Sequence, residues 1–252
     1  FSNTNIESIT IPSSLKEIGY LAFNFSKISH ISINSNNKNF EIKDNFFIDK
    51  NNKKILAYLD KKTTKVTIPS SVKEIGERAF SDCKNLEEVI LNEGLEKIGA
   101  EAFSNTNIES INIPGSVKEI GERAFSWCIN LKEVILNEGL EKIGAGAFNY
   151  TRIESINIPG SVKEIGGSAF SWCENLKEVI LNEGLEKIGA GAFSNTNIES
   201  ITIPGSVKEI GESAFSGCWN LKKVIYKGDA SNINWKNIGI DTTKTKIISS
   251  NN

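Results

Sequence analysis

Four cysteines, one histidine, four tryptophans and many carboxylates are the side chains of this 252-residue chain that could carry chemistry. A thiol can close a disulfide, bind a metal or attack an electrophile. Cys83, Cys128, Cys173 and Cys218 are separated by 45 residues at every step. The series holds no C-x-x-C pair and no column of histidines runs beside it, so it is not the ligand pattern of a zinc site. The single histidine, His30, has no obvious nucleophile partner. Glu87 and Glu88 fall in a run that reads as a strand, where successive side chains point to opposite faces and cannot share a substrate. No Gly-rich phosphate loop sits between a strand and a long helix. The sequence therefore assigns no catalytic residue, no metal ligand and no cofactor.

Residues suited to contact remain. Trp127 and Trp172 each precede a cysteine, Tyr150 occupies the corresponding stretch between them, and Trp219 follows Cys218. Asp82, Asn105 and Asn195 fill equivalent slots elsewhere, which marks the slot as one that tolerates water. Such an aromatic row could stack on sugar rings or anchor a protein. The alternative is edge packing against Arg152 or lysine stems of neighbouring coils.

The constant 45-residue step points to the elements that hold these residues. Ala-Phe recurs with Phe at 23, 80, 103, 125, 148, 170, 193 and 215, and from Phe80 the steps alternate 23 and 22. The period is thus a double repeat of two similar halves, each near 22 residues and within the leucine-rich-repeat range. In each half an alternating run such as Leu131-x-x-Val134-x-Leu136 reads as a short parallel strand. Pro114, Pro159 and Pro204, or Asn-Glu-Gly in the other half, then turn the chain. A second apolar run, Val117-x-x-Ile120, is closed by Gly121. The stretch Gly121–Cys128 has room for one helical or 3₁₀ turn. Strand centres fall near Ile9, Ile31, Val66, Val89, Ile111, Val134, Ile156, Val179, Ile201 and Val224. No unit can form a core alone, so the units stack. Ten parallel strands give a sheet on the order of 45 Å long. Nine of the thirteen Phe, Phe1 included, share one slot and should form an internal stack. Cysteines two coils apart lie roughly 9–10 Å from one another, beyond the ~7 Å reach of a disulfide. They are expected as free, buried fillers.

Strand alternation also selects an exposed face. One column is Glu88, Ser110, Glu133, Ser155, Glu178, Ser200 and Lys223; the other is Ile90, Asn112, Ile135, Asn157, Ile180, Thr202 and Ile225. His30 and Ser32, then Lys65 and Thr67, extend the columns toward the N-terminus. As a binding face, this surface offers isoleucine for contact and Ser, Asn and Glu for hydrogen bonds. Read otherwise, isoleucine is simply good strand material.

Composition narrows the partners. The formal charge is −2 with signs interspersed, which leaves no electrostatic footprint for nucleic acid. No stretch approaches 18 consecutive apolar residues, so no membrane span is expected. The chain lacks Met and opens at Phe1 without a charged-then-apolar leader, so any signal peptide is expected upstream or removed. Asn24-Phe25-Ser26 and Asn149-Tyr150-Thr151 match the glycosylation sequon.

The pattern I-P-x-S-V-x-x-I-G-x-x-A-F-x-x-C-x-x-L, at Ile113–Leu131 and Ile158–Leu176, resembles the BspA-like leucine-rich repeats of bacterial and some protist surface proteins. The resemblance covers nearly the whole chain as one domain, 1–252. It implies a right-handed leucine-rich-repeat solenoid with one parallel β-strand per 22–23-residue coil on the concave face and short helical or 3₁₀ turns opposite. It also implies an extracellular or cell-surface setting and a non-enzymatic role in adhesion to host, matrix or other cell-surface proteins. The alternatives are a carbohydrate-binding module that uses the Trp/Tyr row, or a rigid structural spacer. Residues 34–65 resemble the insert such proteins carry between coils. Phe46–Ile48, a polar turn over 49–52 and Ile55–Tyr58 predict a β-hairpin packed on the edge of the solenoid. Residues 226–252 resemble a C-terminal capping segment, with Trp235, Ile238 and Ile240 suited to cover the last coil.

Overall fold

The computed structural model describes residues 5, 7–19 and 30–249 of the chain. Phe1, Phe23 and the sequon at Asn24 lie outside them. All ten predicted strand centres fall inside strands. Ser8–Ile11 pairs with His30–Ile33. Lys65–Thr67, Glu88–Ile90, Ser110–Ile113 and Glu133–Leu136 form a parallel sheet, and Ser155–Ile158, Glu178–Leu181, Ser200–Ile203, Lys223–Tyr226 and Lys246–Ser249 form another. The register sets like slots side by side: Ile111 faces Val134, and Ile156 faces Val179. The result is a β-solenoid of about ten turns built from coils of roughly 23 residues.

The coil differs from its sequence reading in two respects. Where one strand per coil is predicted, seven successive coils carry a second, two-residue strand, from Glu74–Ile75 to Glu209–Ile210. The apolar run of the slot Val117-x-x-Ile120 supplies it, with Ile120 buried in the core. Close backbone approach follows at glycine. A Cβ on Gly121 would lie 2.6 Å from Ala100 N, and one on Gly144 would lie 2.6 Å from the Gly121 carbonyl carbon. Second, Gly121–Cys128 is a series of turns and contains no helix. Arg123 and Trp127 take φ of 52° and 60°, and left-handed residues break a right-handed helical run. The sole helix among the described residues is a 3₁₀ turn at Ala230–Asn232.

A phenylalanine column runs through the core. Consecutive rings from Phe80 to Phe215 stack, with centroids from 4.9 Å (Phe80–Phe103) to 5.7 Å (Phe193–Phe215). Toward the N-terminus the insert continues it: Tyr58 stacks on Phe80 at 5.1 Å and Phe46 packs against both. The insert is a three-stranded antiparallel meander, not a lone hairpin: Phe40–Lys43, Phe46–Asp49 and Lys54–Tyr58. Asp44 and Asn45, both at positive φ, make the first tight turn, as two-residue hairpins require. The Asp49 carboxylate accepts the backbone N–H groups of Asn51 and Asn52 and closes the second.

Lys54–Tyr58 then adds parallel to Glu74–Ile75, extending the short-strand sheet to ten strands. All four residues of Phe46–Asp49 are buried. Phe46 and Ile48 belong to the main core, and Phe47 joins Ile11, Ile31 and Phe40 in a second, smaller one. The insert is thus a wall between the first coils and the rest, and Lys65–Thr67, at its predicted end, is an ordinary coil strand. After Tyr226 the chain makes the 3₁₀ turn, buries Ile238 and Ile240 in the main core, and adds Lys246–Ser249 beside Lys223–Tyr226. Trp235 is half-buried and packs edge-on to Tyr226.

Candidate functional site

The solvent face of the long strands is as strand alternation predicts. Glu88, Ile90, Ser110, Asn112, Glu133, Ile135, Ser155, Asn157, Glu178, Ile180 and Ser200 are exposed, and Thr202 is half-buried. Ile135 and Ile180 keep 46% and 47% of their surface open to water. Each isoleucine lies beside an asparagine: Asn112 next to Ile135, and Asn157 next to Ile180. The asparagines are oriented. Asn137 donates through Nδ2 to Asn112 Oδ1 at 2.8 Å, and Asn182 does the same to Asn157. Each face asparagine keeps its own amide donors for the outside. The first column is neutralised at one end, where Lys65 meets Glu88 at 2.8 Å. It is basic at the other, where Lys223 and Lys246 sit side by side in register.

The aromatic row lies on another side of the coil. Trp127 and Tyr150 stack at 4.2 Å with planes 11° apart, and Tyr150 and Trp172 at 5.8 Å and 4°. The rings pack on each other, so edge packing against Arg152 is not what orders them. Trp219, 87% exposed, stands outside this stack. What the sequence did not disclose is the backbone. The row's slot is left-handed in each coil from Asp82 to Gly217: Asp82, Asn105, Trp127, Tyr150, Trp172 and Asn195 take φ between 57° and 61°, and Gly217 takes 75°. Asp, Asn and Gly are the residues that accept this conformation readily. An ordinary side chain there costs about 1–2 kcal/mol, while an aromatic pair returns ~0.5–1.5 kcal/mol.

The cysteine column is chemically quiet. All four thiols are free, with Cys83, Cys128 and Cys173 buried and Cys218 half-buried. Burial pushes the Cys128 and Cys173 thiols up from 9.0 to about 11, against the lowering effect of hydrogen bonds from Thr106 and Thr151. A thiol held protonated is a poor nucleophile. Among the described residues no three His, Cys, Asp or Glu converge as a metal site, and no helix is long and apolar enough to cross a membrane. In the sequon at Asn149 the asparagine is half-buried, while Thr151 is buried and donates its hydroxyl to Phe148 O at 2.8 Å.

Coil sequence, Phe column and paired strands together invite comparison with known repeats. Residues 1–57, 53–177 and 141–250 match the BspA type leucine rich repeat region, in six copies. The chain belongs to the BspA-type leucine-rich-repeat family. Its fold is similar to a leucine-rich repeat protein from Bacteroides ovatus, at 27% identity and TM-score 0.57, over 97% of this chain and 63% of that one. It is also similar to a leucine rich cell surface protein from Faecalibacterium prausnitzii, at 24% and 0.55, over 76% of this chain and 55% of that one. The leucine-rich repeat protein of Treponema pallidum matches at 22% and 0.51, over 84% and 96%. The chain therefore spans less than two thirds of the first two relatives. No curated protein sequence matches it.

Proposed function

We propose that this BspA-type solenoid is a non-enzymatic binding module at the cell surface, which holds a protein partner against the solvent face of its long strands. The observation that carries the reading is the exposed Ile90, Ile135 and Ile180 column, interleaved with oriented asparagines on a scaffold whose backbone is fixed by ladder hydrogen bonds. Rigid presentation lowers the ordering cost of binding. An apolar residue beside a polar one every two coils suits an extended contact in which small patches are desolvated and hydrogen bonds flank them. The Faecalibacterium relative, described as a cell surface protein, supports the location. The closing residues 226–249 then act as a cap: Ile238 and Ile240 cover the last coil.

Surface plasmon resonance of the purified chain over immobilised extracellular-matrix and cell-surface proteins tests the reading. Saturable binding that substitutions on this face abolish supports it, and binding indifferent to them overturns it.

A further inference from the structure

The aromatic row combines an unusual backbone slot with exposed indoles. Three consecutive coils place Trp, Tyr and Trp in a left-handed slot that Asp, Asn and Gly fill in the others. Burial does not compensate, since Trp127 is 50% and Trp172 43% exposed. Stacking offsets much of the backbone cost, yet about half of each indole stays in water, where a ligand can reach it.

The stacking decides what such a function can use. Tyr150 lies between two indoles, so both of its faces are covered. A flat platform of side-by-side rings is absent; only at its ends does the row have ring faces that no other ring of the row covers. One is the face of Trp127 turned toward the preceding coil, where the slot carries the short Asn105. Asn105 donates through Nδ2 to Asp82 Oδ1 at 2.6 Å, so an amide in the adjacent slot and a carboxylate one coil further line the approach to that face. Both side chains are exposed. An open indole face with an adjoining carboxylate and amide fits a ligand that is flat and C–H-rich on one side and ringed by hydroxyls. Few, well-placed polar groups fix the orientation of such a ligand.

We propose that the outward face of Trp127, with Asp82 and Asn105 beside it, is a binding subsite for a single pyranose ring of a glycan. It is separate from the sheet face and takes a different class of ligand. The sugar ring lies against the indole, and its hydroxyls bond to the Asp82 carboxylate and the Asn105 amide.

The slot itself supplies the clean variant. Trp127→Asn installs the residue that this slot carries in two other coils, so the fold is expected to melt no lower than the native chain. On an array of hexose and N-acetylhexosamine oligosaccharides, the native chain should give signal above background and Trp127→Asn at least tenfold less. Asp82→Asn, which keeps shape and left-handed preference, should also lose at least tenfold at unchanged melting temperature. Silence of the native chain across the array overturns the proposal, and contact with protein alone would show itself in that way. Native-level signal from either folded variant overturns it too. Should Trp127→Asn lower the melting temperature, the Asp82→Asn signal decides in the same two directions.

Discussion

Thr106 Oγ1 and Cys128 Sγ meet at 3.2 Å in the core, and both donate to one acceptor, the carbonyl of Phe103. Thr151 and Cys173 repeat the arrangement on Phe148, and Thr196 and Cys218 on Phe193. The column therefore alternates Cys and Thr coil by coil, and this alternation explains the 45-residue period. Charged slots obey the same rule. Along the short strands Lys54–Glu74, Lys97–Glu119 and Lys187–Glu209 pair at 2.7–3.2 Å. One residue earlier Lys73–Glu96 and Lys208–Glu186 pair at 3.0 Å. The two columns form a checkerboard in which each coil complements its neighbour and not itself.

Deleting one coil should therefore cost more than deleting two. Removal of residues 136–157 sets Lys118 beside Lys163 and Glu119 beside Glu164, and like charges directly opposite are destabilising. It also brings Cys128 and Cys173 to one strand spacing, about 5 Å, within disulfide reach. Removal of residues 113–157 preserves the alternation. Urea unfolding should rank the 22-residue deletion below the 45-residue one. Mild oxidation should consume two thiols of the shorter deletion and none of the longer.

Native thiols should be inert. Titration with an aromatic disulfide reagent at pH 8 should report slow, partial reaction from the half-buried Cys218 and none from Cys128 or Cys173. Under denaturing, non-reducing conditions it should report four thiols. The same burial sets a pH effect with a definite sign. Between 9.0 and about 11 the unfolded chain has released protons that folded Cys128 and Cys173 retain. The unfolded state then binds fewer protons, so stability falls as pH rises through that window. Melting temperature measured from pH 8 to 11 should decline, and Cys128→Thr/Cys173→Thr should flatten the decline.

The Phe column should be costly to interrupt. Phe148 is fully buried between Phe125 and Phe170, at 5.3 and 5.4 Å. Phe148→Ala is expected to cost about 3–5 kcal/mol in chemical denaturation. A loss below 1 kcal/mol would mean that the neighbouring coils close over the gap.

The strand register was legible because inward slots recur at a fixed spacing: Ile111, Val134 and Ile156 are apolar, and Ser110, Glu133 and Ser155 are not. The face residues followed from the same alternation. The second strand of each coil was harder to read, since two residues such as Glu119–Ile120 are too short to show a period. The left-handed slot was hidden by its occupants. Asp82, Asn105 and Gly217 are signals of positive φ, but Trp127, Tyr150 and Trp172 stand against that reading and interrupt it. The meander's first strand, Phe40–Lys43, has an exposed isoleucine, Ile42, and one buried phenylalanine, too little alternation to mark it. The Thr partners of the cysteines carried a signal that could have been found: threonine recurs at 106, 151 and 196 with the same 45-residue step.

Binding by the sheet face is tested most directly with Ile135→Asp/Ile180→Asp. Both side chains are about half exposed and two coils apart, so the melting temperature should move little while two apolar contacts become charged. Affinity for a matrix or cell-surface protein that the native chain binds should fall at least tenfold in surface plasmon resonance, with the circular dichroism spectrum unchanged. A folded double variant that binds as tightly as the native chain would contradict the account.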